Sequence, residues 1–367
     1  MKVGIITFHD VNNYGSVLQT YATQETFRNL GCETEVIDYR REGQSGYFQK
    51  MKNACDRSSF GKNPLLRATY YMIKSPSYLR QRKVFTAFRQ KYITLGNRRY
   101  IGFEQLKQNP PQIDVGCTGS DQMWNSEYNQ GVEKAYYLAF GKPDMKRIAY
   151  STSIGMEQFP ESETEEVREL LSRYAAISVR EASALSALEK AGVHGAVQVL
   201  DPTLVLNGAQ WRKIASDRYK KCKPYVLIYQ LNPNSELENF AAELARSYGF
   251  DLRRINLMYD QMSRAGKAVN IPTVNEYISL LDNARYVVTD SFHGTAFCIN
   301  LNTQFYVFYP PKYKTRLDSI LQLTGLTTRI AENDKSEKED IDFVPVNQII
   351  GEARQNNLEF LRQALEK

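Results

Sequence analysis

An apolar run, Val287-Val288-Thr289, stops at Asp290-Ser291-Phe292-His293-Gly294-Thr295, and the histidine so placed has acid–base chemistry open to it. The run reads as a buried strand over 286–289, then a tight turn, then a helix over about 295–301. His293 would stand at the carboxyl end of a strand and the amino end of a helix. Open α/β sheets bind ligands there, and helix N-termini favour phosphate or carboxylate. Its unperturbed pKa suits proton transfer near neutrality, with a structural role as the alternative. Two further polar clusters follow apolar runs. The run 113–118 gives way to Gly119-Ser120-Asp121-Gln122-Met123-Trp124-Asn125, where Asp121 is either a helix cap or a carboxylate aimed into a cleft. The run 175–179 ends at Arg180, whose planar fork suits a carboxylate or phosphate, a surface ion pair being the alternative. Asn12-Asn13-Tyr14-Gly15-Ser16 offers amides and small side chains at a helix start, yet lacks the G-x-G-x-x-G of a dinucleotide loop.

The elements that must position these groups are legible as an α/β rhythm. Strand 2–7, loop 8–13, helix 15–30 ending at Gly31 and strand 34–39 open the chain, signalling a parallel sheet. Further strands are expected at 113–118, 147–151, 175–179, 197–200, 225–230, 252–256, 286–289 and 305–308, with helices between. The fold class expected is therefore α/β, with two domains of roughly 150 to 180 residues each. Residues 1–170 form the first and 171–340 the second; residues 332–342 read as a charged linker and 341–367 as a C-terminal helix packing across both.

Composition narrows the function. The chain has 367 residues, 42% hydrophobic and 24% charged, with no apolar window of membrane-spanning length. Its N-terminal apolar run is too short for a signal peptide, so a cytoplasmic protein is expected. Five scattered cysteines without a Cys-x-x-Cys pair, and three histidines, argue against a disulfide framework or a metal centre. The net charge of +6 is uneven: residues 40–100 carry fifteen Lys and Arg against Glu42 and Asp56, leaving about −7 for the remainder. Aromatic residues such as Phe60, Tyr70, Tyr78 and Phe88 interleave with these cations. The segment reads as a solvated helical insertion or as a surface for anionic lipid headgroups. Nucleic acid is not expected, because no recognition motif accompanies the charge.

In chain order, Ile5-Ile6-Thr7-Phe8-His9, Asn13-Tyr14-Gly15-Ser16-Val17-Leu18-Gln19, Gly119-Ser120-Asp121-Gln122-Met123-Trp124-Asn125, Ile177-Ser178-Val179-Arg180-Glu181, Asp201-Pro202-Thr203 and Asp290-Ser291-Phe292-His293-Gly294 together resemble the polysaccharide pyruvyl transferase family. The resemblance implies two Rossmann-like domains facing a cleft, as in GT-B glycosyltransferases. It implies transfer of the enolpyruvyl group of phosphoenolpyruvate to two hydroxyls of one sugar in a lipid-linked glycan, such as an exopolysaccharide or capsule precursor, forming a cyclic ketal. No metal or other cofactor is expected. Peripheral contact with the inner face of an anionic membrane would follow from a lipid-linked acceptor.

On this reading His293 is the general acid/base, Arg180 clamps the donor carboxylate or phosphate and Asp121 orients or deprotonates the acceptor hydroxyl. Ser291, Gly294, Lys312 and Lys314 lie at the donor, and Asn13, Tyr14, Gly15, Ser16, Ser120, Trp124 and Asn125 line the acceptor side. Many relatives carry an arginine two residues before the histidine where Ser291 stands here, so either Arg180, Lys312, Lys314 or Arg316 supplies that charge or the donor site is altered. The alternatives are a nucleotide-sugar-dependent GT-B glycosyltransferase and a non-catalytic, membrane-associated scaffold of polysaccharide assembly.

Overall fold

Among the described residues, twelve strands, each parallel to its neighbours, divide between two sheets in the computed structural model, which describes residues 1–43, 47–261, 264–311, 314–331 and 339–366. The first sheet has the order β3-β2-β1-β4-β5-β6-β7. Its strands are β1 (Lys2–Ile6), β2 (Glu33–Arg40), β3 (Leu95–Ile101), β4 (Val115–Thr118), β5 (Lys146–Thr152), β6 (Ala176–Val179) and β7 (Val197–Gln198). The second has the order β10-β9-β8-β11-β12, from β8 (Tyr225–Tyr229), β9 (Asp251–Asn256), β10 (Lys267–Asn270), β11 (Tyr286–Thr289) and β12 (Gln304–Val307). Helices cover both faces of such sheets, which is why central strands such as β4, β8 and β11 are buried along their whole length. Two Rossmann-like sheets were expected and two are present.

In each sheet the strand order reverses once, between β1 and β4 in the first and between β8 and β11 in the second. Loops diverge at such a point and leave a crevice at the carboxyl ends of the strands. The four loops after β1, β4, β8 and β11 therefore carry the ligand-facing residues, and they include His293 and Asp121.

Several boundaries differ from those read in the sequence. Strand β6 pairs with β5 and β7 with β6 in the first sheet, so residues 171–200 belong there and not with the second. An apolar four-residue strand carries no mark of which sheet it joins. The basic segment is an insertion only up to residue 94, because Leu95–Ile101 pairs with β2 as the sheet edge. Between them lie α2 (Tyr47–Asp56) and the 29-residue α3 (Pro64–Tyr92), which runs through Pro76. The C-terminal helix runs over Phe343–Glu366, inside the expected 341–367; most of the charged linker at 332–342 lies outside the described residues.

The two halves are tied together at several points. The helix α1 (Tyr14–Asn29) presents Tyr14, which stacks on Tyr277 at 4.5 Å and donates from its hydroxyl to Pro272 O at 2.6 Å. The C-terminal helix reaches both: Arg354 donates to Leu204 O and to Asn300 Oδ1, and Lys146 on β5 donates to Leu365 O.

Candidate active site

Ser291 ends the loop after β11 and caps the helix Phe292–Leu301, its hydroxyl accepting from Gly294 N at 3.2 Å. The helix thus begins three residues earlier than read, and His293 is its second residue. Asp290 fixes this loop to the neighbouring one after β8: its carboxylate accepts from the amides of Leu231 (2.7 Å) and Asn232 (2.8 Å) and from Asn232 Nδ2 (2.9 Å). Three donors satisfy a carboxylate that is otherwise buried.

His293 lies against the backbone of the other sheet's first helix. A side-chain carbon at Gly15 would lie 2.1 Å from His293 Nδ1 and 2.4 Å from Cγ, so only glycine allows the ring this approach. Its Nε2 is buried without a hydrogen-bond partner and stands 3.8 Å from Asp201 Oδ2. Burial pulls the imidazole pKa well below its ordinary value; Asp201 and Asp121 oppose that, and Arg180 and Arg316 reinforce it. The ring is neutral at neutral pH, a ready proton acceptor whose protonated form Asp201 would stabilise.

Asp201 follows β7 and is held on every side. Oδ1 accepts from Thr203 N and Oγ1 at 2.9 and 2.6 Å, and Oδ2 from Arg180 Nη1 at 2.7 Å and Ser120 Oγ at 3.0 Å. Burial favours its neutral form, but His293, Arg180 and Thr203 outweigh that and hold the pKa at about 2.

Arg180 is not a wall of the cleft. Its side chain is fully buried with its guanidinium 5.0 Å over the Phe292 ring, among three carboxylates: Asp201, Glu181 at 3.5 Å and Asp121 at 3.7 Å. The expectation that it clamps the donor gives way to a different one. It neutralises buried carboxylates and fixes Asp201 beneath His293, because a strand-end arginine with acids on its own loop and on two neighbouring ones is drawn inward to them.

Asp121 does line the cleft, with a left-handed backbone (φ 91°) that costs a non-glycine residue of the order of 1–3 kcal/mol. Its carboxylate accepts from Ser16 Oγ at 2.5 Å and from Gln122 N at 2.9 Å. Asn13 caps α1 through Ser16 N. Asn13 and Ser16 are lining residues of the cleft as well. Tyr14, Ser120, Trp124 and Asn125 are not: Tyr14 is the interdomain peg, Ser120 braces Asp201, Trp124 donates to Tyr136 O and Asn125 caps the turn at Tyr128.

The cleft itself is a cavity of about 520 Å³ between the two switch points, reaching from Phe8, Val11 and Asn13 to Asn232, Ser291, His293, Pro310 and Arg316. Two helix N-termini open on it, those of α1 and of Phe292–Leu301, and both favour negative charge. Among the candidate cations for the missing arginine, Arg316 is the one placed in this wall; Lys314 is exposed and lies over the Tyr309 ring, and Lys312 falls outside the described residues. Gly294 sits beneath, where a side-chain carbon would meet Thr289 and Tyr229. A larger hollow of about 900 Å³ adjoins the cleft, sharing Phe8, Val11 and Tyr128 and continuing to Arg41 and, beside α2, Lys50 and Arg57. His9, at its base, is engaged with Asp38 at 3.0 Å.

Sequence reasoning gave Asp201 and Asp290 no role, although each is an acid directly after an apolar run, the same signal that singled out Asp121. Nothing in the sequence marked the hollow at Tyr128 and Arg57, which forms only when the insertion folds back over β1 and β2.

The family model for polysaccharide pyruvyl transferase matches residues 13–311. Comparison with curated proteins gave no match. Among solved structures, the UDP-N-acetylglucosamine 2-epimerase of Rickettsia bellii is 13% identical, with 99% of this chain and 96% of that one covered at a TM-score of 0.48. The UDP-GlcNAc 2-epimerase of Neisseria meningitidis, bound to UDP-GlcNAc, is 10% identical over 99% and 100%, at 0.46. The E. coli heptosyltransferase WaaC, with ADP-2-deoxy-2-fluoro heptose, is 12% identical over 85% and 90%, at 0.39.

Proposed function

Because this chain belongs to the polysaccharide pyruvyl transferase family, we propose that it moves the enolpyruvyl group of phosphoenolpyruvate onto two hydroxyls of one sugar in a lipid-linked glycan, closing a cyclic ketal and releasing phosphate. The observation that carries this reading is the setting of His293: neutral, backed by Asp201, and facing a cleft on which two helix N-termini and Arg316 converge.

The donor's phosphate and carboxylate lie toward Arg316 and the helix N-termini, where preorganised positive charge also meets the charge that develops on the leaving phosphate. Neutral His293 takes the proton of the first sugar hydroxyl and, as imidazolium, delivers it to the methylene carbon. The double-bond electrons accept that proton to give a methyl group, and the hydroxyl oxygen bonds to the central carbon that they leave electron-poor. Asp201 stabilises the imidazolium in between, acting through His293 and not on the substrate. Phosphate then departs with the electrons of its C–O bond, the second hydroxyl bonds to the same carbon, and its proton passes by way of His293 to the phosphate. Asp121, steadied by Ser16, orients the acceptor. The hollow beside the cleft, with Tyr128 at the junction, receives the remainder of the glycan.

The test is phosphate release from phosphoenolpyruvate in the presence of a glycan acceptor. Release is expected from the native chain and not from His293→Ala, with phosphoenolpyruvate raising the melting temperature by mass action. Stabilisation by a nucleotide sugar and none by phosphoenolpyruvate would replace this reading with glycosyl transfer.

A further inference from the structure

The helix α3 (Pro64–Tyr92) has two faces that the fold treats differently. Tyr70, Ser77 and Val84, seven residues apart, are buried, as are Phe85 and Phe88. Along this face Ser77 Oγ accepts from Tyr259 N at 2.9 Å, Gln81 donates to Leu257 O at 2.7 Å and Lys74 pairs with Asp260 at 2.5 Å, so the helix is clamped to the second half of the molecule. A second heptad, Leu65, Met72 and Leu79, is offset by two residues, about 200° around the helix. These side chains are 76%, 73% and 53% exposed, and Leu66 and Ile73 beside them are exposed as well. Large apolar side chains in a continuous stripe on solvent mark an interaction surface, unlike scattered single ones.

The charge around the stripe identifies what it meets. From residue 57 to residue 103 there are eleven Lys and Arg and no Asp or Glu, whereas the chain outside residues 40–100 is about −7. Lys62, Arg82 and Lys83 stand exposed beside the stripe. A helix with apolar side chains on its outer face and cations at the flanks suits the interface of an anionic bilayer, with the apolar groups at the acyl boundary and the cations among headgroups. A nucleic-acid backbone would engage the cations and leave Leu65, Met72 and Leu79 in water. Among the described residues no helix is long and apolar enough to span a membrane, so a contact of this kind would be peripheral.

We propose that α3 lays its Leu65–Met72–Leu79 stripe on an anionic lipid surface, with the full chain docked by this face. The same insertion carries Lys50 and Arg57 into the hollow beside the cleft, so docking would turn that opening toward the bilayer. This inference stands independently of the reaction assigned to His293.

The experiment is co-sedimentation of the full chain with vesicles of equal parts phosphatidylglycerol and phosphatidylcholine, against vesicles of phosphatidylcholine alone. The native chain binds the anionic vesicles, less so as salt rises, and ignores the neutral ones. The exposed triple variant Leu65→Ser, Met72→Ser, Leu79→Ser folds as the native chain does by circular dichroism and loses about tenfold or more of its binding; Arg82→Glu with Lys83→Glu loses a comparable amount. No binding by the native chain, or undiminished binding by the triple variant, overturns the proposal. Concentration-dependent dimerisation that the triple variant abolishes, with no vesicle binding, would assign the stripe to a second copy of the chain, and RNA binding that survives the triple variant would assign the cations to nucleic acid.

Discussion

Gly15→Ala tests the geometry of the site with one carbon atom. That carbon would lie 2.1 Å from His293 Nδ1, 2.4 Å from Cγ and 2.8 Å from Cε1, whereas ordinary contact needs about 3.5 Å. Something must move by roughly 1.4 Å, which is the difference between those two separations. The helix α1 resists, because the preceding residue, Tyr14, is stacked on Tyr277 and hydrogen-bonded to Pro272 O. His293 is held only by its packing and by Asp201 at 3.8 Å, so the imidazole is what yields. A displacement of this size in a group that transfers protons costs on the order of 100-fold in rate. Alanine favours a helix over glycine by up to about 1 kcal/mol, so the fold is expected to survive. Turnover of phosphoenolpyruvate falls about 100-fold, with a melting temperature near that of the native chain. Removing the ring as well, in Gly15→Ala with His293→Ala, relieves any strain, and a double-mutant cycle of melting temperatures reads the coupling. Native kcat and KM in Gly15→Ala would refute the claim that His293 is positioned against α1.

Arg180→Ala leaves Asp201, Glu181 and Asp121 around a vacated buried charge and is expected to cost about 3–5 kcal/mol in denaturant unfolding. A side chain that only clamped the donor would leave the stability nearly unchanged when removed. Arg316→Ala weakens phosphoenolpyruvate binding by about 1.5–3 kcal/mol, seen as a raised KM. Acidification destabilises the fold in two windows. His293 has a folded pKa below its unfolded value of about 6.5, so the unfolded chain binds the extra proton and stability falls once pH drops below about 6.5. Asp201, with a folded pKa of about 2, contributes stability that is fully present above about 3.9 and lost as pH falls toward 2. Melting temperatures across this range should show the upper window vanish in His293→Gln. Asp201→Asn removes the carboxylate that stabilises the imidazolium, so the acid limb of the rate profile moves to lower pH and kcat drops; an unmoved limb would detach Asp201 from His293.

The α/β alternation was readable because parallel strands buried on both faces are written as short apolar runs, and Tyr225–Tyr229 and Tyr286–Thr289 are such runs. The loops after them were readable as sites for the same reason, since polar residues directly after a buried strand have few structural reasons to be there. What sequence could not carry was direction. Arg180, Asp121 and His293 all follow strands, yet Arg180 turns inward because Asp201 and Asp121 meet it from loops that only the sheet order brings together. Trp124 and Asn125 were placed in the cleft by proximity to Asp121 along the chain, and the left-handed turn at Asp121 sends them into the core instead. The strand β3 was hidden because Asn97, Arg98 and Arg99 belong to an edge, where one side of the strand faces water. Gly15 illustrates the opposite case: the glycine was visible, but its reason lies in a histidine 278 positions away.

The central claim is that a glycan gains a pyruvate ketal at this cleft through His293. Mass spectrometry of a lipid-linked glycan after incubation with the chain and phosphoenolpyruvate tests it most directly. A mass gain of one pyruvate less one water per glycan, matched by phosphate released, is expected from the native chain and none from His293→Ala. An unchanged glycan with the native chain, or an equal gain with His293→Ala, would contradict it.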